Sequence, residues 1–285
     1  MNRIKSLSNT LTAKSAPVVP TADNASGVVQ VVKIGANQEV AIITLAEAST
    51  ANALSPAIRK GLSQALNHLN HDPKVKVVCL RSGLPGMFSS GAHLAEFSKY
   101  LELHQWLEKD LLEELDDALK NFSKPMIAAV TGVAIAGGFV LALNCDIVLA
   151  AEDAMFQLKE VDVGVALRFG GSVLPKMIGK HEAMRFALLG AKVTPQRAKE
   201  LGLVQEIYHP DKIFEAQEKM ALRLAKRSGY TLQTIKKIIN NGFEKDGPSA
   251  RDYASLAFNS ALGLPGAREG IDAFLTRRKA DFTGK

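Results

Sequence analysis

The chain has 285 residues, 47% of them hydrophobic, and a formal net charge of +6, enough for one large domain or two modest ones around a sizeable core. No apolar run of membrane-spanning length is free of charges and polar breaks, so a soluble protein with no membrane span is expected. Arg3, Lys5 and Lys14 against Asp23 leave +2 in the first 27 residues and +4 dispersed over the rest, without the basic stripe and interleaved aromatics of a nucleic-acid binder.

Residues 1–27 are basic, rich in Ser, Thr and Ala, and carry no acid before Asp23. That composition predicts a targeting leader for the mitochondrial matrix; a flexible tail is the structural alternative. Arg3-Ile4, Leu7-Ser8 and Leu11 also approach the N-terminal peroxisomal address, but Thr10 stands where that signal wants His or Gln. The terminal Thr283-Gly284-Lys285 is not the peroxisomal tripeptide.

Val28–Ile34 and Val40–Leu45 are β-branched runs around GANQE, which predicts a hairpin. Ser55-Pro56 supplies an N-cap and a first-turn proline for a helix to about Asn70, with Ile58, Leu62, Ala65, Leu66 and Leu69 on its apolar face. Val75–Leu80 is continuously apolar, as a strand covered on both sides should be. Residues 82–92 read as a Gly/Ser-rich loop. Leu107, Leu111, Leu115 and Leu119 mark a helix whose acidic side (Glu108, Glu113, Glu114, Asp116, Asp117) reads as a solvated face.

Next come a strand at Met126–Val130, a helix at Gly137–Leu143 and a strand at Ile147–Ala150. Glu182–Leu189 is a helix closed by Gly190, Thr194-Pro195 opens another that ends at Gly202, and Leu203–Ile207 is a short strand. From Asp211 onward the pattern is helical, over 211–228, 231–241, 249–262 and 267–279, with Gly229, Gly242 and Gly263 as punctuation. The expected organisation is therefore a leader at 1–27, an α/β core of strand-strand-helix units at 28–210, and a helical region at 211–285 that folds back or mediates assembly. Cys79 and Cys145 lie in apolar surroundings without metal spacing and read as buried thiols of a reducing compartment.

Two small-residue loops carry the candidate chemistry. Met87-Phe88-Ser89-Ser90-Gly91-Ala92-His93-Leu94 runs from a strand into a helix, and Ile135-Ala136-Gly137-Gly138-Phe139 does the same. N–H groups at such junctions are unpaired, and the backbone can approach a ligand closely. Either loop alone reads best as close helix–strand packing; together they can supply two N–H groups to a developing oxyanion. Downstream, Glu160 lies among Phe156, Leu158, Val161 and Val163, where desolvation would raise its pKa and suit it to carry a proton. An ion pair of Glu160 with Lys159 or Arg168 is the structural alternative. Asp162 reads at least equally as a loop or cap residue. His93 could act as an acid/base but reads better as a capping or exposed side chain. His68 and His71 read as surface residues. No phosphate-binding loop, dinucleotide fingerprint or zinc spacing is present.

At these residues the chain resembles the enoyl-CoA hydratase/isomerase (crotonase) superfamily over about residues 28–282. The resemblance rests on Asn52-Ala53-Leu54, FSSGAHL at 88–94, KPMIAAVTGVAIAGG at 124–138, CDIVLA at 145–150, FQLKEVDVG at 156–164, Gly170-Gly171, LPKMIG at 174–179 and EGIDAFLTRRKADF at 269–282. FQLKEVDVG is similar to the dienoyl-CoA isomerase branch.

The resemblance implies a crotonase-like spiral of strand-strand-helix units, a helical C-terminal region that builds trimers or hexamers, and acyl-CoA thioester substrates. It implies an oxyanion hole from the N–H groups of Ala92 and Gly137, with Ser90, Gly91, His93 and Gly138 beside it, and no metal or redox cofactor. Only Glu160 keeps the family's acid. Val140 stands where hydratases carry a glutamate and dienoyl-CoA isomerases an aspartate, Arg168 where dienoyl isomerases carry an aspartate, and His93 where the family has an acid.

A lone carboxylate favours isomerisation of 3-enoyl-CoA to 2-trans-enoyl-CoA in fatty-acid β-oxidation, with Val140 and Arg168 as candidate pocket residues. Dienoyl-CoA isomerase and enoyl-CoA hydratase are the enzymatic alternatives. A non-catalytic crotonase-fold partner or RNA binder is another, and an inert subunit of heteromeric rings a further one. One superfamily member binds RNA through a lysine-dense helix; the corresponding helix here holds only Arg59 and Lys60.

Overall fold

The computed structural model describes residues 27–102 and 112–284. Residues 1–26 of the predicted leader at 1–27 and the predicted helix positions Leu107, Glu108 and Leu111 lie outside the described residues. Strands β1 (Val29–Ile34) and β2 (Val40–Leu45) form the predicted antiparallel hairpin. Helix α1 (Pro56–His71) starts at Ser55, whose side chain accepts from the Ile58 N–H, and all five predicted apolar residues are buried.

Strand β3 (Val77–Ser82) is followed by β4 (Met87–Ser89), α2 (Leu94–Glu102) and α3 (Glu113–Lys120). The 82–92 segment is therefore not all loop. Met87–Ser89 within it pairs with β6 (Val133–Ile135), and both strands are too short to show a period-2 pattern. Strand β5 (Met126–Val130) precedes β6; α4 (Gly137–Leu143), β7 (Ile147–Ala151) and β8 (Met155–Gln157) follow it.

Helix α5 (Phe169–Ile178) was missed because Gly170, Gly171 and Pro175 mask its pattern. Helix α6 (Lys180–Leu189) closes on Gly190 in the left-handed conformation. Strand β9 (Lys192–Val193), α7 (Pro195–Glu200) and β10 (Glu206–Tyr208) lead to α8 (Ile213–Ala225), α9 (Gly229–Glu244), α10 (Gly247–Leu262) and α11 (Pro265–Leu275). Gly229 opens α9 as its first residue, whereas Gly242 lies within the last turn of the helix instead of ending it, at a cost of roughly 1 kcal/mol relative to alanine.

Among the described residues the strands form two sheets. One has the order β1-β2-β3-β5-β7-β10, parallel beyond the first hairpin; the other is β4-β6-β8-β9. Successive turns deliver one strand to each sheet: β3 then β4, β5 then β6, β7 then β8. This is the predicted spiral.

Alternate residues of the larger sheet face opposite ways, and both sides are buried. Ile43, Leu45, Val78, Leu80, Ala128 and Ala150 share a core with α1 and α3. Val40, Ile42, Val77, Cys79, Ile127 and Leu149 pack with Ile213, Ala221 and Ala225 of α8. Two covered faces explain the unbroken apolar strands. Both cysteines are buried, as their apolar surroundings predict, and burial pushes the Cys79 thiol up to about 12. No helix of the described residues is long and apolar enough to cross a membrane.

Candidate active site

The two small-residue loops meet. Gly91 has φ of +87°, and a Cβ there would lie 2.6 Å from the Ile135 carbonyl oxygen and 3.1 Å from the Gly137 nitrogen. A Cβ on Gly137 would lie 3.8 Å from the Ala92 nitrogen. Only glycine lets the backbones approach this closely. Neither the Ala92 nor the Gly137 N–H donates a hydrogen bond among the described residues.

The second loop is held open by Ala136, a non-glycine residue at φ of 51° and ψ of −122°. Such a conformation costs on the order of 1–3 kcal/mol and persists only where its surroundings enforce it. Here the Ala136 N–H donates to the Gln157 carbonyl at 2.7 Å, and the Ala136 carbonyl accepts from Val140 at 3.0 Å. Gly138 packs on the first loop: a Cβ there would come within 2.5–2.7 Å of the Ser89 carbonyl, Cβ and Oγ.

A buried polar network holds the first loop. Asn52, fully buried at φ of 53°, places its Nδ2 near the Leu45 carbonyl (3.2 Å), Ser82 Oγ (2.9 Å) and the Phe88 carbonyl (3.2 Å), and its Oδ1 accepts from the Glu47 N–H at 2.7 Å. Ser89 Oγ donates to the Asn52 carbonyl at 2.7 Å, and the Ser90 hydroxyl donates to the Thr50 carbonyl at 2.9 Å. Ser90 thus turns its hydroxyl into the scaffold. Asn52 stood out in the sequence only as part of a motif; an Asn able to adopt positive φ was the available signal.

Glu160 opens a 3-10 turn, Glu160–Val163, three residues after Gln157, so the hydrogen bond from Ala136 to Gln157 ties the catalytic candidate to the Gly137 loop. Its Oε2 is buried without a hydrogen-bond partner. Burial raises the carboxyl above the ordinary glutamate range, and the N–H groups of Glu160 and Lys159 offset only part of that. The alternative ion pairs are not formed: Lys159 faces Asp162 at 3.7 Å, and Arg168 pairs with Asp116 of α3. Phe156 and Leu158 are buried as expected, but Val161 and Val163 are exposed.

Two further readings change, those of Asp116 and His93. Asp116 belongs to an ion pair rather than to a purely solvated face. Arg168 is exposed at the start of α5 with its guanidinium drawn toward α3. His93 is not an exposed or capping side chain: its Nδ1 is buried and unpartnered, while its carbonyl accepts from the N–H groups of Glu96 and Phe97. Val140 is half-buried in the core, and its Cγ2 would lie 3.0 Å from a Cβ placed on Gly170.

Comparison with known proteins agrees with this geometry. The family model described as enoyl-CoA hydratase/isomerase matches residues 35–285. The 2,3-dehydroadipyl-CoA hydratase of Escherichia coli is 32% identical over 260 residues, covering 88% of this chain and 98% of the relative. The mitochondrial enoyl-CoA hydratase of Pongo abelii is 32% identical over 251 residues, covering 88% and 86%. The crystal structure of an enoyl-CoA hydratase from Polaromonas sp. JS666 superposes with a TM-score of 0.82 at 28% identity, over 90% of this chain and 99% of that one. A Bacillus anthracis enoyl-CoA hydratase gives 0.82 at 26%, over 90% and 100%. With its spiral of paired sheets, its apposed glycine loops and a matching family model over nearly its whole described length, the chain belongs to the enoyl-CoA hydratase/isomerase family of the crotonase superfamily.

Proposed function

We propose that the protein is an acyl-CoA double-bond isomerase that converts 3-enoyl-CoA to 2-trans-enoyl-CoA in fatty-acid β-oxidation. The observation that carries this reading is the buried, unpartnered Oε2 of Glu160 in a site whose usual second acid is the apolar Val140. The thioester oxygen accepts from the N–H groups of Ala92 and Gly137, and the negative charge that develops on it is stabilised there. Each such donor is typically worth on the order of a hundred- to a thousand-fold in rate. Glu160 takes the C2 proton, the double bond moves from C3–C4 to C2–C3, and the same carboxyl returns the proton to C4. No water, oxidant or metal enters the balance. A carboxylate with a raised pKa suits both halves of this shuttle. Glu160→Gln should abolish isomerisation of a 3-enoyl-CoA while leaving CoA-ester binding in place; substantial retained turnover would refute the reading.

One observation favours a second reading, hydration of 2-enoyl-CoA. The buried Nδ1 of His93 lacks a partner, and with Glu160 it would offer a water two holders. The relatives named as hydratases point the same way. Offering 3-enoyl-, 3,5-dienoyl- and 2-enoyl-CoA to the purified protein separates the reactions, because only hydration adds 18 mass units to the product. We further propose that the protein works as a homo-trimer or hexamer built through region 211–285. Its place of action would be the mitochondrial matrix, with residues 1–27 as the address. A reporter carrying those residues should enter mitochondria; a cytosolic or peroxisomal reporter would contradict this.

A further inference from the structure

The Ala92 N–H and the Gly91 carbonyl belong to one peptide group, and a planar peptide points its two polar ends in opposite directions. Whatever fixes the Gly91 oxygen therefore aims the Ala92 N–H. The Gly91 oxygen accepts from the Leu54 N–H at 2.7 Å. The carbonyl of Leu54 in turn accepts from Arg59 Nη1 at 2.7 Å. Arg59 is clamped by Glu96, with Nη1 to Oε2 at 2.7 Å and Nη2 to Oε1 at 2.8 Å. Both side chains are largely covered, at 11% and 21% exposure, so solvent screens this two-pronged pair less than a surface one. Glu96 lies in the first turn of α2, and its N–H donates to the His93 carbonyl at 3.0 Å. A closed circuit runs from α2 through Glu96, Arg59 and Leu54 to the peptide that carries the Ala92 N–H.

The position of Arg59 argues against a purely helix-stabilising role. It is the fourth residue of α1, where the positive end of the helix dipole disfavours a cation. Glu96 sits at the matching end of α2, where an acid is favoured on its own. An arginine placed against its helix dipole needs another reason, and the bond to Leu54 supplies one. In the sequence, Arg59 stood out only as one of two cations on a possible RNA-binding helix.

We infer that the Arg59–Glu96 ion pair positions the oxyanion hole: it is a pair of positioning residues that aims the Ala92 N–H at the thioester oxygen without touching the substrate. This rests on the oxyanion reading given above. A hydrogen-bond donor displaced by about 1 Å from a developing charge loses up to a hundred-fold in rate.

The test uses the full chain with Arg59→Gln, Arg59→Lys, Glu96→Gln and the Arg59→Gln/Glu96→Gln double variant. On the enoyl-CoA that the wild type turns over, Arg59→Gln should lower kcat roughly 10- to 100-fold. KM and the Kd of a saturated acyl-CoA should stay within about three-fold, the pattern of an interaction lost only in the transition state. Arg59→Lys should recover part of the loss, and the double variant should be no worse than the poorer single one. Melting temperatures accompany each assay. Unchanged kcat in folded Arg59→Gln, or a loss confined to KM, would overturn the inference.

A second readout needs no turnover. In a Glu160→Gln background, a bound conjugated dienoyl-CoA should absorb to the red because the N–H pair polarises its carbonyl, and Arg59→Gln should shrink that shift. An undiminished shift removes the positioning role alone. No shift with Arg59 intact removes the oxyanion reading itself.

Discussion

Glu160 is a carboxylate that its surroundings disfavour in charged form. Its raised pKa means that the folded chain holds the proton more tightly than the unfolded chain does. Folding stability therefore falls as pH rises from the ordinary glutamate value of 4.5 through the raised one, while the fraction able to act as base grows. The acid limb of the kcat/KM profile should lie above the ordinary glutamate range. That limb is read from the wild-type rate profile, and Glu160→Gln should remove the pH-dependent loss of stability, as read from melting curves. Gly138 is the second decisive residue. Gly138→Ala places a methyl group within 2.5–2.7 Å of Ser89, so the two loops must part. A cost of about 1–3 kcal/mol by chemical denaturation is expected, with a fall in kcat beyond that of a mutation of equal cost elsewhere. Glu160 and the glycines were legible in the sequence, because small residues between strand and helix and one carboxylate in apolar company are local patterns. Asn52, Arg59 and Glu96 were not legible as supports, since their partners lie up to 37 residues away.

At the scale of elements, α1 is the best-read part of the chain, from its Ser55 cap to its apolar face. Its far end is closed by a residue that no local rule points to. Lys124, 3% exposed, donates to the carbonyls of Leu69 and Asp72 at 2.6 and 2.5 Å. Burial pushes its ammonium down to about 8, though Asp72 favours the charged form. Lys124→Met would strip these carbonyls of their donor without emptying the space. It should cost roughly 1–3 kcal/mol, measured by urea unfolding. Because the folded pKa is depressed, the lysine's contribution to stability is smallest below about 8 and increases between there and the ordinary lysine value of 10.5. The short strands β4, β6, β8 and β9 escaped sequence reading for the opposite reason: two or three residues carry no period, and they become strands only by pairing with one another.

Across the whole molecule, the C-terminal helices present a large apolar surface. Ile239, Leu256, Phe258, Ile271, Phe274 and Leu275 are all more than half exposed, and Phe274 reaches 82%. Isolated exposed apolar residues are ordinary, but this many on adjoining helices suit a second copy of the chain. Phe274→Glu with Leu275→Glu should lower the mass found by sedimentation toward that of one chain; an unchanged mass would place the contact elsewhere. The sequence by itself determined the hairpin, α1, the buried parallel strands and the spiral order, because periodicity, caps and glycine placement act over short separations. Only the tertiary structure decided which loops meet, that Oε2 of Glu160 and Nδ1 of His93 lie buried without partners, that Arg168 turns to Asp116, and that Arg59 and Glu96 brace the Gly91–Ala92 peptide. Those facts rest on side chains brought together by the packing of distant elements, and a contact of that kind leaves no periodic trace along the chain.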